Sequence, residues 1–170
     1  GFIHSGFNEV LTYSLVTNDD HKRIRIANPL LKETSSLRNN LWEEHIKIVN
    51  QNINSGSNHC WIFEIGKIFT HSNNKFIEEE FINGAICGNN KFETWDNSGK
   101  EKDLNYFEAR GKLREALDSL KISILDKTTE KIEFLHPGRA ALLFIEGKES
   151  GYFGQIHPKY NIEKNYLKNI

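Results

Sequence analysis

The sequence has no methionine, three prolines and two cysteines, Cys60 and Cys87. Two cysteines are too few for a disulfide framework, and both sit in β-like runs, the setting of buried thiols in a reducing compartment. A cytoplasmic location is therefore expected. Net charge is nearly absent as well: 22 basic against 23 acidic residues leave −1. That excludes a whole-domain basic field for holding nucleic acid and leaves only local patches for the role. No apolar run approaches the roughly 20 residues of a membrane-spanning helix, so no membrane partner is expected. Without methionine, and with Gly1 as its first residue, the chain reads as a single domain, residues 1–170, cut from a longer polypeptide. Nucleophile and nucleotide signatures are missing too: there is no Gly-x-Ser-x-Gly, no P-loop and no Gly-x-Gly-x-x-Gly.

What is present is 170 residues, 38% of them hydrophobic, a size at which one domain buries about 70% of its unfolded surface. The chain is arranged around Asn28-Pro-Leu-Leu-Lys-Glu-Thr-Ser-Ser-Leu-Arg38 and the segment after it. Pro29 lacks an N–H and keeps Asn28 extended, so the strand-like run Ile24-Arg25-Ile26 stops there. Asn40 and Glu43 have capping-box spacing. Beyond them Leu41, Trp42, His45, Ile46, Ile48, Val49 and Ile53 recur at helical steps, predicting a helix over 41–53 with a wide apolar face, ended by Asn54-Ser-Gly56.

Upstream, Gly1–Gly6 reads as the last turn of a helix with Gly6 as its C-cap, and Val10–Val16 as a strand with Leu11, Tyr13 and Leu15 on one side. Cys60–Phe69 predicts a long strand placing Trp61, Phe63, Ile65 and Phe69 on one face, Glu64 and Gly66 on the other. A polar loop, Thr70–Glu80, leads to an antiparallel return strand, Phe81–Cys87. After the polar stretch Asn89–Lys102, anchored by Trp95, Asp103 or Asn105 caps a helix from about 106 to 120, with Tyr106, Ala109, Leu113, Ala116, Leu117 and Leu120 inward. Ile122–Leu125 is a further short strand. Leu142–Glu146 and Glu149–Ile156 flank Gly147-Lys148, which suits a type II′ turn. This order predicts an α+β fold, a mostly antiparallel sheet flanked by helices.

Candidate chemistry is sparse. His136 and His157, each followed by proline, lack the converging ligands a zinc site needs, and His-Pro more commonly begins a rigid bend. Arg139, after Pro137 and Gly138, has the planar fork that clamps a carboxylate or phosphate, or it pairs with a nearby Glu. Glu33 and Arg38 are placed for cross-chain pairs in an assembly or for ion pairs within the chain.

Asn28, Pro29, Leu30, Glu33, Ser35, Leu37 and Arg38, running into an apolar helix, resemble the synthetase-like core of the β subunit of bacterial phenylalanyl-tRNA synthetase. Leu31 and Glu43-Glu-His-Ile46 depart from the usual pattern. Gly6–Ser14, Phe63–Gly66, Gly84–Asn89 and Tyr106–Leu113 are also similar. The most specific match is Leu135-His-Pro-Gly-Arg139, the hairpin, and Gly151-x-x-Gly-x-Ile-His-Pro158. The resemblance implies a class II synthetase-like fold that scaffolds the α subunit of a phenylalanine-tRNA ligase, within an (αβ)₂ tetramer that charges tRNA-Phe using ATP and magnesium. It further implies that helix 41–53 meets its counterparts at the tetramer centre, with Trp42 and Ile48 turned to partners. Active class II enzymes hold ATP through an Arg on the first strand of a long hairpin and another in a Gly-rich segment near the end. Phe63-Glu64-Ile65 and Gly151–Pro158 have none, so no catalytic, cofactor or metal residue is expected in this domain. The candidate interface or motif residues are Asn28, Pro29, Glu33, Ser35, Arg38, Trp42, Ile48, His136, Pro137, Gly138 and Arg139. The alternative is a stand-alone binding protein or enzyme on a borrowed fold.

Overall fold

The computed structural model describes residues 1–18, 20–72, 75–90 and 104–159. Among them the order is β1 (Asn8–Glu9), β2 (Leu15–Val16), β3 (Ile24–Arg25), a 3₁₀ turn (Lys32–Thr34), β4 (Ser36–Leu37), α1 (Trp42–Asn54), β5 (His59–Ser72), β6 (Lys75–Gly88), α2 (Tyr106–Asp118), β7 (Ile124–Thr128), β8 (Leu135–Ile145) and β9 (Lys148–Ile156). The architecture is α+β. Three three-stranded sheets form, ordered β1-β5-β6, β2-β4-β3 and β7-β8-β9, and every pairing is antiparallel except β1 with β5.

The β5–β6 ribbon is the spine, and the period-two alternation of β5 explains how it is clothed. Trp61 and Phe63 pack with Phe2, Phe7 and Ala116 of α2, while Cys60 and Ile62 pack with Val49 of α1. The two helices therefore cover opposite faces of one ribbon. Cys60 and Cys87 stand opposite each other in the ladder, with no disulfide between them.

α1 begins and ends one residue later than its apolar stripe predicts. Only half of the expected capping box forms: Asn40 Oδ1 accepts the Glu43 N–H at 3.1 Å, but the Glu43 carboxylate pairs with Arg23 instead of returning to Asn40. At α2 the box is complete. Asn105 Oδ1 accepts from the N–H groups of Phe107 (2.9 Å) and Glu108 (3.0 Å), and Glu108 takes the Asn105 N–H at 2.9 Å. α2 stops at Asp118, which leaves Leu120 outside the helix and exposed.

Several expectations are corrected. Val10–Val16 is not one strand: the Val10 N–H bonds the Phe63 carbonyl, Ser14 accepts from Arg38, and only Leu15–Val16 find a ladder partner. Its alternating apolar residues Leu11 and Tyr13 are 89% and 85% exposed. The polar loop Thr70–Glu80 is mostly strand, because the ribbon continues past its buried half on cross-strand pairs such as Lys67 with Glu78 and Phe69 with Phe76. Ile65 accordingly lies in the outer half and is exposed. The short strand after α2 is Ile124–Thr128, shifted from Ile122–Leu125. Gly1–Gly6, by contrast, is the closing turn expected, with the Ser5 N–H on the Gly1 carbonyl, the Phe7 N–H on the Phe2 carbonyl and Gly6 as its cap at φ +91°. The last hairpin turns on Glu146-Gly147, both at positive φ (51° and 78°), which is the type I′ pattern rather than II′. Trp95 and most of Asn89–Lys102 lie outside the described residues.

Asn105→Ala removes the acceptor for two α2 amides. A loss of about 1 kcal/mol is expected, read as a lower urea midpoint with an unchanged m-value.

Candidate functional site: a buried charge cluster beside an exposed apolar segment

Counting along β5 from Cys60 and Ile62, the next two residues facing α1 are Glu64 and Gly66. Glu64 is completely buried. Its Oε1 accepts from Arg38 Nη1 at 2.9 Å, its Oε2 accepts from Thr12 Oγ1 at 2.7 Å, and His45 Nε2 lies 3.2 Å from Oε2. Asn83, opposite Glu64 in the ladder, bonds His45 Nδ1 at 2.8 Å through its amide nitrogen. That donor fixes the neutral imidazole with its proton on Nε2, aimed at the carboxylate. Arg38 is 3% exposed and also donates through Nε to the Lys67 carbonyl at 2.8 Å. Gly66 makes this possible: a Cβ there would stand 2.6 Å from Arg38 Nη2 and 2.8 Å from Glu64 Oε1.

Burial pushes the Glu64 carboxyl up, but the bonds from Thr12, Arg38 and His45 and the Arg38 charge outweigh it, so its pKa falls below the ordinary value. Burial holds His45 below its ordinary pKa, against the pull of Glu64. The cluster is therefore a carboxylate–guanidinium pair with a neutral histidine. Enclosed and saturated with partners, it positions the segment before α1 on the ribbon and offers no free base.

Arg23, 7% exposed, repeats the device nearby: it pairs with Glu43 and donates to the Thr17 carbonyl (2.6 Å) and Asn39 Oδ1 (3.4 Å). An open cleft of about 680 Å³ beside it is lined by His21, Lys22, Arg23, Arg25, Asn39 and His71. The Asn18 amide, with its oxygen turned toward Arg25, accepts from that guanidinium. Both arginines are thus spent on this chain.

The candidate interface residues divide. Asn28, Pro29 and Glu33 are exposed and Ser35 is half-buried, and the segment carries Leu30 at 98% and Leu31 at 61% exposure. Arg38 points inward, and its ion pair is the intrachain alternative, with Glu64. Trp42 and Ile48, expected to face a partner, pack on this chain. Trp42 stacks on Phe134 at 4.7 Å and 6°, and Ile48 joins the Val49–Cys60–Ile62 cluster. His136, Pro137, Gly138 and Arg139 form an irregular part of β8 rather than a bend between elements. No group of three His, Cys, Asp or Glu suited to a metal occurs among the described residues.

Residues 2–167 match the family described as phenylalanyl tRNA synthetase beta chain CLM domain. The chain belongs to this family. Phenylalanine–tRNA ligase beta subunits of Prochlorococcus marinus strain MIT 9312 and of its subspecies pastoris (CCMP1986) are 61% and 57% identical to it over 170 residues. These alignments cover all of this chain and 21% of each relative, so the chain spans about a fifth of their length. A solved pyrrolysyl tRNA synthetase, PylSc of Desulfitobacterium hafniense, superposes with a TM-score of 0.55 at 13% identity, over 87% of this chain and 50% of that one. The CLM chain therefore has the fold of a class II synthetase.

Sequence reading singled out Arg38 and placed Glu64 on the correct face without joining them. The available signal was Glu64 in the same alternation as Cys60 and Ile62, and His45 inside an apolar stripe. Such positions demand a partner when buried.

Removing Arg38 strands a buried carboxylate. Arg38→Met is expected to lose about 3–5 kcal/mol in urea unfolding, and Arg38→Met with Glu64→Leu to recover most of it. Both lowered pKa values have one sign. The contribution of His45 is present above its ordinary pKa of 6.5 and declines as pH falls below it; that of Glu64 is present above 4.5 and declines below that value. The melting temperature should begin to drop below about pH 6.5 and drop more steeply below about 4.5. His45→Gln should remove the first decline and keep the second.

Proposed function

We propose that this CLM chain is a non-catalytic core domain of a phenylalanine–tRNA ligase β subunit. In this reading it is one domain of a longer chain and scaffolds the α subunit within an (αβ)₂ tetramer. The assembled enzyme charges tRNA-Phe with phenylalanine, using ATP and magnesium, in the cytoplasm. The observation that carries the reading is family membership over residues 2–167, and the relatives named as ligase β subunits support it.

The β5 strand supports the non-catalytic part. As the first strand of the long hairpin it would carry the arginine of an ATP site, and it carries Glu64, closed off by Arg38 and His45. A buried carboxylate does not fit a polyphosphate, whose developing charge calls for fixed cations. No step of ATP chemistry is assigned to these residues. The partner surface is best supported on the segment from Leu11 to Leu31, where Leu11, Tyr13, Leu30 and Leu31 stand exposed on one continuous length of chain.

Co-purification and sedimentation with the cognate α subunit should give a stable complex burying more than ~1,000 Å². Leu30→Asp combined with Leu11→Asp should weaken it at least about tenfold while leaving the chain folded. Folded wild-type chain that fails to associate would remove the reading.

A further inference from the structure

In β8, Leu135 stands opposite Ile156 and Ala140 opposite Gly154, so His136, Pro137, Gly138 and Arg139 together face Gln155 alone. Two residues build this bulge. Pro137 has no N–H for the ladder. Gly154 leaves space beneath it: a Cβ there would stand 2.7 Å from Leu135 Cδ1 and 2.9 Å from the Arg139 carbonyl oxygen. Bulges of this kind re-aim side chains.

Here the bulge returns Arg139 toward β9, where Nη1 donates to Gln155 Oε1 at 2.6 Å. His157 follows directly on β9, its N–H on the Phe134 carbonyl at 2.9 Å, and its ring lies 6.1 Å from that of His136 with 28° between planes. Two histidines 21 positions apart in sequence thus become neighbours, close along the chain to Arg139 and to the Gln155 that holds it. Each ring is fixed by a backbone amide: the Gly138 N–H bonds His136 Nδ1 at 3.1 Å, and the Lys159 N–H bonds His157 Nδ1 at 3.1 Å. With Nδ1 accepting, each neutral imidazole carries its proton on Nε2. A metal would need that Nε2 lone pair and a proton on Nδ1, where the amide already points. The pair is therefore arranged to donate rather than to ligate.

We propose that the Leu135–Ala140 bulge is an oxyanion site for a phosphate group, free or carried in a nucleic-acid backbone, bound by Arg139 with the Nε2–H groups of His136 and His157. Arg139 spends one of its donors on Gln155 and keeps others, and its exposure leaves them open to solvent. A planar carboxylate is satisfied by the guanidinium fork alone, whereas donors from separate imidazoles suit a tetrahedral anion with more oxygens. The site does not depend on the proposed ligase role, and its test uses the chain without any partner subunit.

Isothermal titration calorimetry of the 170-residue chain in chloride buffer, with inorganic phosphate and separately with a short 5′-phosphorylated RNA, tests it. Saturable heat is expected for at least one probe. Arg139→Gln should weaken it about tenfold or more, and Arg139→Lys less. His136→Phe and His157→Phe, which keep a ring and remove the donor, should each weaken it as well. Heat with inorganic phosphate identifies the free anion as sufficient; heat with RNA alone identifies the backbone phosphate as the source. Binding unchanged in variants with native circular dichroism, or no heat with either probe, overturns the proposal.

Discussion

A carboxylate with no access to water has to be neutralised on the spot, and that constraint at Glu64 organises the first half of the chain. Its partners come from three separate segments: Thr12 from the chain beside β5, Arg38 from the end of the Asn28–Arg38 motif, and His45 from α1. The chain ahead of α1 has too little regular structure to hold itself. β2, β3 and β4 are two-residue strands, far below the length at which a sheet stands independently. The ion pair supplies the long-range anchor that such short ladders lack. Buried pairs rarely add stability over an apolar substitute, so the return on this one is registry: a single way to lay the motif on the ribbon.

The same logic connects cluster to fold and fold to function. Gly66 is bare so that Arg38 can cross it, and the arginine thereby reaches β5 from outside the strand. In the proposed reading, a class II scaffold with its polar centre closed in this manner contributes shape and surface. The exposed leucines Leu11, Leu30 and Leu31 are the surface that the proposed reading assigns to a partner, since contiguous apolar patches left in water mark interaction sites.

How much of this was legible depended on whether a segment buries one face. α1, α2, the inner half of β5–β6 and the β8–β9 hairpin announce themselves because one side is apolar. The outer half of the ribbon, Thr70–Glu80, does not, since both its faces meet solvent and no alternation is required there. Val10–Val16 errs the other way: its alternation is real, but no neighbouring strand accepts Leu11 and Tyr13. Turn chemistry misled by one residue, because Glu146 takes a positive φ that its side chain does not advertise. The Arg38–Glu64 and His136–His157 juxtapositions are products of tertiary folding and leave only a weak trace, a polar residue where the pattern asks for an apolar one. The family resemblance was legible where the geometry was not, since it rests on residue types in order, whereas the role of Arg38 emerges only in three dimensions.

Among the described residues β6 is the last strand of its sheet, with no further strand paired to its outer side. Its far half carries Lys75, Glu78, Glu79 and Glu80, whereas Phe81 through Gly88 carry no charge at all. Repulsion and hydration guard the tip against a foreign strand. The uncharged stretch has other cover, since Ala85 and Cys87 pack against the Val49–Cys60–Ile62 cluster and the Leu104 N–H bonds the Gly88 carbonyl, so charge stands guard where packing does not.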